Sequence, residues 1–103
     1  MQPVLITTTT PTKDEAVKIA AGLLDAKLAA CVNIIGPVTS MYVWQGSVAR
    51  EEEYKLFIKS FEEKSEAVKG YIQQNHSYSV PEFSLIRIQD MSESYLAWMK
   101  DVL

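Results

Sequence analysis

From Leu28 to Val48 the chain reads LAACVNIIGPVTSMYVWQGSV, without an Asp, Glu, Lys or Arg and rich in β-branched and aromatic residues. That composition predicts strand rather than helix. Beyond Pro37 two faces alternate: Val38, Ser40, Tyr42 and Trp44 on one, Thr39, Met41, Val43 and Gln45 on the other. The run is far longer than the usual five or six residues of a strand. Gly36-Pro37 is therefore expected as a bulge or bend between two half-strands, because proline cannot donate to a ladder. The first half can serve the subunit's own sheet. The second protrudes with two large aromatics to bury, and another subunit is the simplest cover.

The same patterning divides the rest of the chain. Val4–Thr10 is a β-branched first strand ended by Pro11. Thr12 and Glu15 fit a capping box. Ala16, Ile19, Ala20, Leu23, Leu24 and Leu28 then recur at helical spacing. Gly46 starts a turn, the charged segment Ala49–Glu53 is read as the hairpin end, and Tyr54–Ser60 returns as a strand. Glu53, Lys55, Phe57 and Lys59 share one of its faces. Ser60 with Glu63, or Ser65 further on, begins a second helix buried through Ala67, Val68, Tyr71 and Ile72. A loop over 76–81 precedes a last strand, Phe83–Gln89, and Ser92 caps a terminal helix. The order β-α-β-β-α-β plus a C-terminal helix predicts an α+β, ferredoxin-like split βαβ sandwich in a single domain, 1–103.

Composition narrows the function classes. The 103 residues are 48% hydrophobic and carry a net charge of −3, which speaks against a nucleic-acid partner. The N-terminus MQPVLITTTT has no signal-peptide pattern, and no apolar run approaches a membrane span of about 20 residues. A lone cysteine excludes an internal disulfide, so a reducing, cytoplasmic setting is expected.

Candidate chemistry is sparse. Cys31 lies among Ala29, Ala30 and Val32 and is read chiefly as a small buried hydrophobe. His76, the only histidine, follows a helix end. It could make a loop hydrogen bond or ligate a metal with Asn75, Glu82, Met41, Cys31 or its own copies in neighbouring subunits; imidazole and thioether suit copper. Glu53 and Lys59 on one strand face, with Tyr42, Trp44 and Tyr78, form a candidate ligand cleft in which Lys59 fixes an anionic group and Glu53 orients it. No nucleophile–base pair and no glycine-rich phosphate loop is present, so a binding or structural protein is expected rather than an enzyme, with no organic cofactor.

Taken together, Leu28–Asn33, the strand residues Ser40, Tyr42, Trp44 and Gly46, the hairpin residues Glu53 and Lys59, the loop residues His76, Tyr78, Pro81 and Glu82, and Tyr95-Leu96-x-Trp98 resemble the divalent-cation tolerance (CutA) family over nearly the whole chain. The resemblance implies a tight homotrimer in which long strands extend a neighbour's sheet, and a role linked to copper and other divalent cations. It also implies a likeness to trimeric signalling proteins that bind small effectors between subunits. This chain departs from the family pattern in two places. Ser77 replaces the proline of a histidine–proline–tyrosine loop, and Thr7–Thr10 occupies the strand where some relatives carry a cysteine proposed as a copper ligand.

Overall fold

The computed structural model describes all of residues 1–103. The elements are β1 (Pro3–Thr10), α1 (Lys13–Asp25), β2 (Cys31–Trp44), β3 (Ser47–Phe61), α2 (Ser65–Asn75), β4 (Ser84–Arg87) and α3 (Glu93–Val102). The strands form one antiparallel sheet in the order β2-β3-β1-β4. Each helix-containing crossover skips one strand, which is the ferredoxin-like α+β arrangement expected.

Alternation on β1 and β3 decides where the core sits. Val4, Ile6, Leu56 and Ile58 turn to one side and are wholly buried. Ala16, Ile19 and Leu23 of α1 and Val68 and Ile72 of α2 close over them. The opposite face of the sheet carries Thr7, Thr9, Lys55 and Lys59, so the apolar core lies on one face and polar side chains are concentrated on the other.

Two start signals resolve differently from expectation. Thr12 caps α1 by accepting from the Glu15 backbone N–H at 3.2 Å, but the Glu15 carboxylate does not reach back; it accepts from the Ser77 N–H at 3.0 Å. Ser60 caps nothing. It is buried in β3 and donates to the Leu28 carbonyl at 2.6 Å. Phe61, also wholly buried, continues the strand, and a 3₁₀ turn over Glu62–Lys64 leads into α2 at Ser65.

β2 and β3 run far past the body of the sheet. The charged residues Arg50–Glu53, expected at a hairpin end, lie within β3. The turn is the two-residue Gln45-Gly46, with φ of 49° and 80°. Positive φ at both positions is what a type I′ hairpin requires, and glycine at the second makes it inexpensive. The register shifts between Ile35 and Val38, so that Gly36 and Pro37 together face Tyr54. This is the bulge predicted from the sequence. It separates a base, paired from Cys31↔Lys59 to Ile35↔Lys55, from an arm, paired from Val38↔Glu53 to Trp44↔Ser47. The molecule is drawn out to 45 Å along one axis against 26 and 22 Å across.

At the bulge the backbone of Gly36 lies against the Tyr54 ring, and a β-carbon there would stand closer to Cδ2 and Cγ than non-bonded carbons approach. Gly36→Ala is expected to lower stability by about 1–3 kcal/mol, the usual range for overpacking, read as a lower urea midpoint at unchanged slope.

Candidate functional site

The open face of the sheet, the root of the arm and the loop after α2 enclose a cleft of about 830 Å³. β1 contributes Thr9, β3 contributes Glu51, Glu53 and Lys55, and β2 contributes Tyr42 and Trp44. The loop contributes Tyr78 and Glu82. The elements explain the placement. Glu53 and Lys55 are two apart on one strand and so project to the same side, and the loop brings Tyr78 across to meet them.

His76 anchors that loop. The backbone N–H of Tyr78 can only donate, so His76 Nδ1 must accept it, at 3.0 Å. That fixes the tautomer: Nε2 carries the proton and donates to the Thr9 carbonyl at 2.6 Å. The imidazole side chain is fully buried, with its ring 4.9 Å from that of Tyr78 and the Glu15 carboxylate 3.4 Å from Nδ1. Both nitrogens are thus used by backbone groups. Tyr78 is aimed by this arrangement, and its hydroxyl donates to Glu53 Oε2 at 2.9 Å. Burial, then the Glu53 carboxylate, push the Tyr78 phenol far above its ordinary range. Tyr42 shifts the same way through partial burial and the neighbouring Glu51. Glu53 is only 6% exposed, and no cationic side chain of the subunit pairs with it.

Glu82 is the hub of the opposite wall. Lys55 Nζ donates to it at 3.0 and 3.3 Å, Thr7 Oγ1 at 3.0 Å and Ser84 Oγ at 3.0 Å. Burial alone would raise the Glu82 carboxyl, but these donors and the Lys55 charge outweigh it and hold it below its usual range. A depressed carboxyl stabilises the fold above the unfolded value, and that contribution is lost as pH falls through the folded value. Acidification below the ordinary carboxylate range should therefore remove up to about 1 kcal/mol, since the pair is a third exposed. Glu82→Gln should flatten this acid limb of stability measured between neutrality and about pH 3; an unchanged limb would show that the pair contributes nothing.

The structure brings Glu53, Tyr42, Trp44, Tyr78 and Glu82 together, but not Lys59, Cys31 or His76. Lys59 is six residues from Glu53 along β3, about 20 Å in extended chain, so a shared face does not mean a shared site. Its ammonium bonds Asn33 Oδ1 at 3.0 Å and lies 5.7 Å over the Tyr95 ring of α3. Cys31 belongs to that same cluster, its thiol 3.9 Å from Asn33 Oδ1. Lys55, not singled out from the sequence, is the lysine that lines the cleft; its position two residues from Glu53 was the available signal. No three His, Cys, Asp or Glu side chains of one subunit converge as a metal site, and His76, Cys31 and Glu82 make no common donor set. No helix is long and apolar enough to cross a membrane.

The fold and site define a ferredoxin-like α+β chain with an overlong hairpin arm and an acidic, aromatic cleft along its arm. Residues 4–102 match the model of the CutA1 divalent ion tolerance protein family. The chain is 35% identical over 96 residues to the divalent-cation tolerance protein CutA of Yersinia pestis, covering 93% of this chain and 81% of that one. Among solved structures, CutA1 from Oryza sativa superposes with a TM-score of 0.96 at 33% identity, over 99% of this chain and 94% of that one. The protein from Archaeoglobus fulgidus described as a periplasmic divalent cation tolerance protein superposes with a TM-score of 0.94 at 34% identity, over 97% of both chains. The chain belongs to the CutA1 divalent-cation tolerance family.

Proposed function

We propose that this protein works as a homotrimer in the response to divalent metal ions, binding copper or another divalent cation at clefts where subunits meet. The carrying observation is the juxtaposition of an exposed apolar arm with a half-built acidic cleft. Val43 is 75% and Trp44 52% exposed in the isolated subunit, alongside Met41 and Val48. Such a patch calls for a partner, and β2 and β4 are open sheet edges on which a second copy can pair. The cleft donors are mostly carboxylate, phenol and hydroxyl oxygens from one side, with Met41 the one soft atom. A neighbour's arm would supply the missing side. The single free cysteine supports a reducing, cytoplasmic setting.

The test pairs light scattering with calorimetric titration of metal-free protein by copper(II). We expect a trimer binding copper at a simple ratio to subunits, with Glu53→Gln weakening it about tenfold. A monomer at micromolar concentration, or copper binding unaffected by Glu53→Gln, would overturn this reading.

A second reading, a small-molecule effector bound in the same clefts, is favoured by one observation. The cleft volume lies in the range of small-molecule sites, about 300–1,000 Å³, and its walls mix ring faces with fixed polar groups.

A further inference from the structure

The sequence predicts that the cleft takes an anion on Lys59, with Glu53 orienting that lysine. Its charges in the folded subunit say the opposite. Three carboxylates, Glu51, Glu53 and Glu82, line it against one ammonium. That ammonium, Lys55, is already engaged by both oxygens of Glu82. Glu51 and Glu53 are left with no cationic partner in the subunit. Glu53 is the more telling of the two. A carboxylate withdrawn this far from water normally has a counter-charge, and here it has a single hydroxyl donor, Tyr78.

The remaining wall discriminates between kinds of cation. A bare metal ion needs several ligands converging on one point, and no three His, Cys, Asp or Glu side chains of the chain do so. Beyond five threonine and serine hydroxyls, the lining includes the apolar Trp44 and Val80. These two offer a metal ion no ligand, but they suit a carbon chain. The faces of Trp44, Tyr42 and Tyr78 attract positive charge on nitrogen, as aromatic rings do when partly desolvated.

We propose that the cleft takes an organic cation: an ammonium group on an apolar chain, its charge between Glu51 and Glu53 and its body against Trp44 and Tyr42. This rests on the effector reading and names the ligand class for it. Tyr78 acts as a positioning residue, holding Glu53 Oε2 so that Oε1 faces the incoming ammonium. Ligand and divalent ion would compete for the same carboxylates.

The probe is 1,5-diaminopentane, titrated calorimetrically into the metal-free wild-type assembly beside its neutral counterpart 1,5-pentanediol. We expect the diamine to bind and the diol to bind at least about tenfold more weakly, with added salt reducing only the former. Glu53→Gln and the exposed Glu51→Gln should each weaken the diamine about tenfold; the second variant carries the test should the first disturb folding. Equal binding of diol and diamine, no diamine binding, or indifference to both substitutions would overturn the proposal. Copper binding lost in Glu53→Gln while the diamine fails to bind would sink this inference and leave the metal reading standing. Failure of both probes on an intact trimer would sink the cleft itself.

Discussion

Replacing Trp44 by alanine should break the proposed trimer into monomers at micromolar concentration. Trp44 stands at the end of the arm, half exposed, with Val43 and Val48 beside it. Large aromatics of this kind are the usual anchors of an interface, and truncating one costs about 2–4 kcal/mol at each contact. A cyclic trimer would lose that amount at three contacts together, which separates trimer from monomer by orders of magnitude in concentration. The subunit fold should survive, because its core lies in the base of the sheet and beneath the helices, away from the arm. The expected result is therefore a smaller particle by light scattering with an unchanged far-ultraviolet spectrum. An intact trimer would show that the arm is not what joins the subunits.

His76→Ala is expected to have the largest effect on the loop. The imidazole serves one buried backbone donor and one backbone acceptor, so its loss leaves the Tyr78 N–H and the Thr9 carbonyl without partners. Each such group costs about 1–3 kcal/mol, and a total of about 2–6 kcal/mol is expected. A second readout separates aiming from packing. With Tyr78 no longer held against Glu53, its phenol should ionise nearer the ordinary tyrosine range, visible in an alkaline ultraviolet titration. His76→Gln, whose amide can both donate and accept, should recover part of each effect. Unchanged stability and tyrosine ionisation, with metal binding abolished, would instead make His76 a ligand.

Periodicity carried the fold far. The β-branched run of β1, alternation on β3, and helical spacing at Ala16, Ile19 and Leu23 were readable, the last two because burial acts on one face of each element. The bulge at Gly36-Pro37 was readable from strand length and the missing proline donor. Less was readable where two local signals competed. Ser60 has the look of a helix cap, but Phe61 keeps the strand going, its side chain wholly buried. The site was half legible. Strand period assigns Glu53, Lys55 and Lys59 to one face, but says nothing about their level along it. Which lysine meets which carboxylate depends on the loop that carries Glu82, and its path is set by His76 contacts 67 residues apart in the chain.

The bulge at Gly36-Pro37 also divides the hairpin into two independent reading frames. Paired residue numbers sum to 90 throughout the base, as at Cys31 and Lys59, and to 91 throughout the arm, as at Trp44 and Ser47. Each half therefore keeps its own assignment of inward and outward side chains. Residues 38–53 can be exchanged for those of a relative as a cassette, with the bulge as the seam. Such a hybrid would keep the stability written into its base and, on the assembly proposed above, take its choice of partner from the transplanted tip. Heteromeric mixing between relatives sharing one cell would then drift independently of the folding core.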